Sequence, residues 1–237
     1  YENPLISRFK SQLPVGVDIN NNPTPSVQHD MDLLESAAWT AKGEPSSQEL
    51  FLRALNDYEA RQFNSALMNY DQAIAAAEGK TDVTRLYEAF YRMNRGVLRA
   101  EMIDFISSIQ NNVQVLSMDD SGTTRARVRD QISRQYDYTD AIEDMKSASE
   151  IVKGLPYIYY NLGNLYCLSS EHVNSIDSYT KAIELYPYMG DAYFNRGLVL
   201  IYLKDMEKGC IDLSRAGELG VQDAYGVIKK YCEKDNE

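Results

Sequence analysis

Acid–base, nucleophilic or metal chemistry in this 237-residue chain would have to start from its two histidines, its three cysteines or its adjacent carboxylates. His29 falls in a predicted helix and His172 in a predicted turn between paired helices, and neither has a visible partner with which to move a proton. Asp119-Asp120 and Glu143-Asp144 occur among 35 acidic residues, where solvation explains adjacent carboxylates better than general acid–base work does. Cys167, Cys210 and Cys232 lie far apart with no C-x-x-C pair, so no zinc-binding set is visible. They read as reduced, packed thiols, with a Cys210–Cys232 bridge as the alternative. No glycine-rich phosphate loop, G-x-S-x-G elbow or H-E-x-x-H helix occurs. The sequence therefore predicts a non-enzyme with no cofactor and no metal.

Charge narrows the class of partner. Lys and Arg total 24 against 35 Asp and Glu, a net charge of −11, which opposes the phosphate neutralisation that nucleic-acid binding relies on. Arginines gather at Arg92, Arg95 and Arg99 and again at Arg125, Arg127 and Arg129; these read as solvated helix faces, with a seat for an acidic peptide as the alternative. No run approaches the roughly 20 apolar residues of a membrane-spanning helix, and no signal segment opens the chain. The first residue is Tyr1 rather than Met, which reads as a processed export product or an excerpt of a longer polypeptide.

The elements that would position a binding surface change character near residue 45. Before it, Leu13, Val15, Val17 and Ile19 alternate as in a half-buried strand over 13–19. The run Asn20 to Pro25 then breaks any regular element, and Met31, Leu34, Ala38 and Trp39 predict a helix over 27–42. Residues 1–45 thus form an irregular N-terminal extension, and 46–237 a helical domain.

Within that domain the sequence repeats. Ala148, Ala182 and Ala216 are 34 residues apart, Met145, Tyr179 and Leu213 keep the same interval, and Ala141, Ser175 and Gly209 supply a third row. Asn94-Arg95-Gly96, Asn161-Leu162-Gly163 and Asn195-Arg196-Gly197 mark a second register. The segment Asp223 to Glu233 carries Ala224, Val227, Ile228 and Tyr231 on one face, as a solubilising cap helix over about 223–233 should.

This pattern resembles the tetratricopeptide family, whose first helix carries W-x2-L-G-x2-Y and whose second carries A-x3-F with a closing proline. Tyr159, Leu162, Gly163, Tyr166, Ser175, Tyr179, Ala182 and Pro187 fall on those positions, with Tyr for Trp, Ser for Ala and Tyr for Phe. The next repeat keeps Tyr193, Gly197, Leu213 and Ala216 but has Leu200 for the second aromatic and Val221 for the proline. Upstream, Ala66, Tyr70 and Ala73 carry a second-helix signature 75 residues before Ala148, which leaves 7 residues beyond two repeats for a loop at Glu78 to Asp82. Degenerate repeats around Gly96, with Ser108 and Val115 on its second helix, and around Arg129 fill that interval. The resemblance implies an all-α, right-handed α-solenoid of about five helical hairpins plus the cap, serving protein–protein interaction.

In such a solenoid the first helices line a concave groove. The stripe Tyr157, Tyr160, Asn164 and Cys167 recurs as Asp191, Phe194, Leu198 and Ile201, with Tyr202 beside it, and earlier as Phe51, Leu55, Tyr58 and Phe90, Met93, Val97. The expected site is therefore Tyr157, Tyr160, Asn164, Phe194, Leu198, Tyr202, Phe90, Met93, Phe51 and Tyr58, an aromatic track for a peptide or helix of another protein. Family members that grip the acidic tails of heat-shock chaperones use a lysine- and asparagine-lined clamp; Tyr160 and Phe194 stand where those cations would be sought, so no such clamp is expected. The alternative to a free scaffold is a structural module of a larger polypeptide whose groove is filled by its own chain or a neighbouring domain.

Overall fold

A computed structural model of the chain describes residues 45–78, 82–116 and 137–233. The expected strand at 13–19, the helix at 27–42, and Arg125, Arg127 and Arg129 lie outside the described residues. Among the described residues there are nine α-helices and no strand: α1 (Ser47–Glu59), α2 (Phe63–Ala77), α3 (Asp82–Leu116), α4 (Thr139–Ile151), α5 (Pro156–Leu168), α6 (His172–Leu185), α7 (Gly190–Tyr202), α8 (Met206–Glu218) and α9 (Asp223–Tyr231). Local chemistry sets several starts. Ser46 and Glu49 close a reciprocal capping box on α1, with the Ser46 amide donating to Glu49 Oε2 at 2.6 Å. Pro156 opens α5, where its missing N–H costs nothing.

Consecutive helices pair as hairpins because small residues let them approach. Ala54, Gly96, Gly163 and Gly197 form one close-contact row on the first helices, facing Ala66, Ala141, Ser175 and Gly209 on the second helices. A Cβ on Gly197 would stand 3.0 Å from the Gly209 carbonyl oxygen, and one on Gly163 would overlap the Tyr179 ring. Ser175 Oγ donates to the Gly163 carbonyl at 2.8 Å, tying that hairpin at its tightest point.

Four hairpins are present among the described residues: α1–α2, α3–α4, α5–α6 and α7–α8, with α9 at the end. α3 runs unbroken past Ser108 and Val115, so these are not on a second helix; Gly96 meets Ala141 instead, at 3.0 Å from a built Cβ to the Ala141 oxygen. Ala141 follows Gly96 by 45 residues, whereas 12 separate Gly163 from Ser175 and Gly197 from Gly209. The second hairpin therefore carries 33 extra residues between its two halves.

Turn geometry explains why α3 does not stop. The other three hairpins turn at Arg61, Ser170 and Lys204, all in the left-handed region with φ of 57°, 62° and 71° and all seven residues after the close-contact row. The equivalent residue of the second hairpin is Ile103, whose β-branched side chain is strongly disfavoured at positive φ. The helix continues through it to Leu116, giving α3 a length of about 52 Å.

At the far end α9 is joined to α8 by a Cys210–Cys232 disulfide, with Cα atoms 5.8 Å apart. This corrects the reading of all three cysteines as reduced; only Cys167 is free, and it is buried. Of the predicted inner face of α9, Ala224 is buried, Val227 and Ile228 are half-buried, and Tyr231 is exposed.

Candidate functional site: the concave face

The first helices α1, α3, α5 and α7 supply the predicted track, but most of it faces the next hairpin rather than open space. Phe51, Met93, Tyr160 and Phe194 stand three residues before the close-contact row in their respective helices, and all four are buried. Phe51 packs on Tyr91 of α3, with ring centroids 4.7 Å apart. Met93 lies in one core cluster with Ile158 of α5, Tyr160 with Ala192 of α7, and Phe194 with Ala224 of α9. Phe90 joins the same cluster as Met93. These residues are wedges in the seams between hairpins, which corrects their assignment to an exposed groove: a side chain that leans toward the following helix is covered by it.

Asn164 is also fully buried, and it organises a polar seam between the last two hairpins. Its Oδ1 accepts from the Tyr179 hydroxyl at 2.7 Å and from Asn195 Nδ2 at 2.9 Å, while Asn195 Nδ2 also lies 3.2 Å from the Tyr160 hydroxyl. Its own amide nitrogen is buried without a hydrogen-bond partner. Burial pushes the Tyr179 phenol well above its ordinary range and the nearby Cys167 thiol up to about 11, so Cys167 is a packed thiol and not a nucleophile.

Four predicted residues keep accessible surface. Tyr58, Tyr157 and Leu198 are half-buried and Tyr202 is 44% exposed. The Tyr58 hydroxyl donates to Glu101 Oε2 at 2.5 Å across the first seam. The Tyr157 phenol is pushed up chiefly by burial, with Tyr186 and Asp191 adding to the shift.

Solved structures with this hairpin arrangement cover most of the chain. YrrB, described as a TPR protein with an unusual peptide-binding site, superposes with a TM-score of 0.53 at 11% identity, over 86% of this chain and 88% of that one. MamA from Desulfovibrio magneticus RS-1 gives a TM-score of 0.51 at 12% identity, over 82% and 86% of the two chains. The chain has the fold of a tetratricopeptide-repeat solenoid. No family model matches the chain. A curated relative, the UDP-N-acetylglucosamine–peptide N-acetylglucosaminyltransferase of Giardia intestinalis, is 32% identical over 81 residues, which is 34% of this chain and 6% of that protein.

The solenoid also presents an edge that the repeat pattern did not single out. Tyr202 meets the His172 ring edge-on, with centroids 4.8 Å apart, and beside them Val173, Leu203 and Met206 are exposed, Val173 at 69%. The available signal was the apolar residues at and beside these turns, where polar residues are usual. The Arg92, Arg95 and Arg99 cluster, by contrast, is engaged by the chain itself. Arg92 pairs with Glu88 at 2.8 Å, Arg95 with Asp71 and Asp144, and Arg99 with Asp144 at 2.7 Å. That corrects its reading as a solvated face and leaves little free charge for an acidic peptide. Among the described residues no group of three or more His, Cys, Asp or Glu is placed to hold a metal, and no helix is long and apolar enough to cross a membrane.

Proposed function

We propose that this solenoid is a non-catalytic scaffold whose concave face binds an extended peptide or a helix of a partner protein. The observation that supports the reading is that Tyr58, Tyr157, Leu198 and Tyr202, all on first helices, keep accessible surface. Tyrosine supplies large contact area at small cost in side-chain entropy and keeps a hydroxyl for a backbone carbonyl. YrrB, whose description includes a peptide-binding site, has the same fold, which supports the reading by analogy.

The test is selection of displayed random peptides on the full chain, followed by titration of the winners against a Tyr157→Ala, Tyr202→Ala variant. Both tyrosines are partly exposed, so the variant should keep its helicity by circular dichroism. Affinity reduced at least tenfold in the variant supports the groove; equal affinity for both proteins overturns it. The alternative is a module of a larger polypeptide whose groove is filled by its own chain or a neighbouring domain. It predicts that peptides are selected by a chain lacking residues 1–45 and not by the full chain.

A further inference from the structure

The end of the solenoid is held by a small interface. α9 has nine residues, below the length at which an isolated helix is stable in water. Among its residues only Ala224 is buried. Val227 and Ile228 lie half-buried against the cluster of Phe194, Leu198, Ile201 and Leu213, and the Tyr225 hydroxyl donates to the Gly217 carbonyl at 3.1 Å. The covalent tie is the Cys210–Cys232 disulfide, which spans 22 residues from α8 to the C-cap of α9. Cys210 and Cys232 are both partly accessible, whereas Cys167, the remaining thiol, is buried and protonated and stays out of exchange.

We propose that the Cys210–Cys232 bridge is a redox latch: oxidised, it holds α9 over the apolar end of the last hairpin, and reduced by a dithiol, it lets α9 undock and expose Phe194, Leu198 and Ile201. The step is thiol–disulfide exchange. One thiolate of the dithiol attacks a bridge sulfur and the other cysteine leaves as thiolate; the second thiol of the reductant then attacks the reductant's own sulfur in the mixed disulfide and the remaining cysteine leaves as thiolate. Two electrons pass to the bridge, Cys210 and Cys232 end as thiols, and the reductant ends as a disulfide. The latch makes the accessible end of the solenoid conditional on the redox state of its surroundings.

Hydrogen exchange read by mass spectrometry on the full chain, air-equilibrated and then treated with dithiothreitol, tests this. Amides of residues 223–233 should exchange roughly 100-fold faster after reduction, the bias that closing a loop of this length gives to the docked state. Those of α5 and α6 should be unchanged. A Cys210→Ser, Cys232→Ser variant should show the fast exchange without reductant and no response to it, with protected α5 and α6 reporting that it folds. Equal protection of α9 before and after reduction overturns the latch. So does quantitative alkylation of Cys210 and Cys232 in the air-equilibrated, unreduced protein.

Discussion

Arg95 and Asp144 lie 49 residues apart in the sequence and meet as a two-pronged pair, Nε to Oδ2 at 3.0 Å and Nη2 to Oδ1 at 2.5 Å. Arg196 and Asp212 make the same fork at 2.7 and 2.8 Å across only 16 residues. Each arginine immediately precedes the glycine of the close-contact row, so the fork marks the same place in two hairpins of very different length. Asp144 also accepts from Arg99, and its side chain is only 3% exposed. Asp144→Ala leaves two guanidinium groups without their main partner and should cost roughly 3 kcal/mol. Urea denaturation followed by circular dichroism measures this; a loss under 1 kcal/mol would make the fork a bystander.

Gly163→Val places a branched side chain where a single Cβ already overlaps the Tyr179 ring. Tyr179 is fully buried and its hydroxyl is tied to Asn164, so the ring has no room to retreat. The expected destabilisation is about 2–3 kcal/mol, with the seam between the last two hairpins loosened, and thermal denaturation reads it. Unchanged thermal stability would show that the ring moves aside freely.

The additional 33 residues of the second hairpin should be removable. Deleting residues 105–137 while changing Ile103 to Gly gives that hairpin the same turn spacing as the others and a residue at home in the left-handed region. The shortened chain should fold with the helicity of four hairpins and a midpoint within several degrees of the parent. The same deletion with Ile103 kept should be less stable by about 1 kcal/mol, because a β-branched residue then has to take positive φ. Equal stability of the two would refute the role given to Ile103.

Alkaline pH should unfold the chain through its buried phenols. Burial raises Tyr70 and Tyr179 well above the ordinary phenol range and pushes Tyr91 up to about 12. The folded chain therefore holds these protons more tightly than the unfolded chain, whose tyrosines titrate near about 10. The stability they carry is complete below that pH and is lost as pH rises toward 12. Near-ultraviolet phenolate absorbance should appear in two phases, exposed tyrosines first and the buried set together with loss of helicity. Smooth titration of every tyrosine before unfolding would contradict the prediction.

The sequence was most readable where both helices of a hairpin carry their marks. Tyr159, Gly163, Tyr179 and Ala182 fix one hairpin, Gly197 and Ala216 the next, and Ala66, Tyr70 and Ala73 the second helix of the first. The second hairpin was misread because its extra length is one residue short of a 34-residue repeat, so the rows stayed nearly in step and put Ser108 and Val115 at second-helix positions of a helix that does not break there. Ile103 in place of a polar turn residue was the legible warning. The binding face was less legible, because an apolar residue three before the glycine suits an open groove and a sealed seam equally well. The following helix seals Tyr160, three before Gly163, whereas Tyr202, five after Gly197 at the end of its helix, stays open. The disulfide escaped for a similar reason: two cysteines 22 residues apart become neighbours only once α9 folds back onto α8.

The arginine forks do more than close their own hairpins. Arg95 reaches back to Asp71 on α2 at 2.6 Å, and Arg196 reaches back to Thr180 on α6 at 2.8 Å, so each also clasps the hairpin before it. At the junction between them the same place is held by Leu162, which lies among Phe90, Met93, Ile158 and Leu165. The outer joints thus carry a charge-assisted hydrogen bond where the central joint carries apolar contact. Apolar burial weakens as temperature falls, and hydrogen bonds to charge do not weaken in the same way. In the cold this position at the central joint therefore loses proportionally more of its hold than the same position at the outer two.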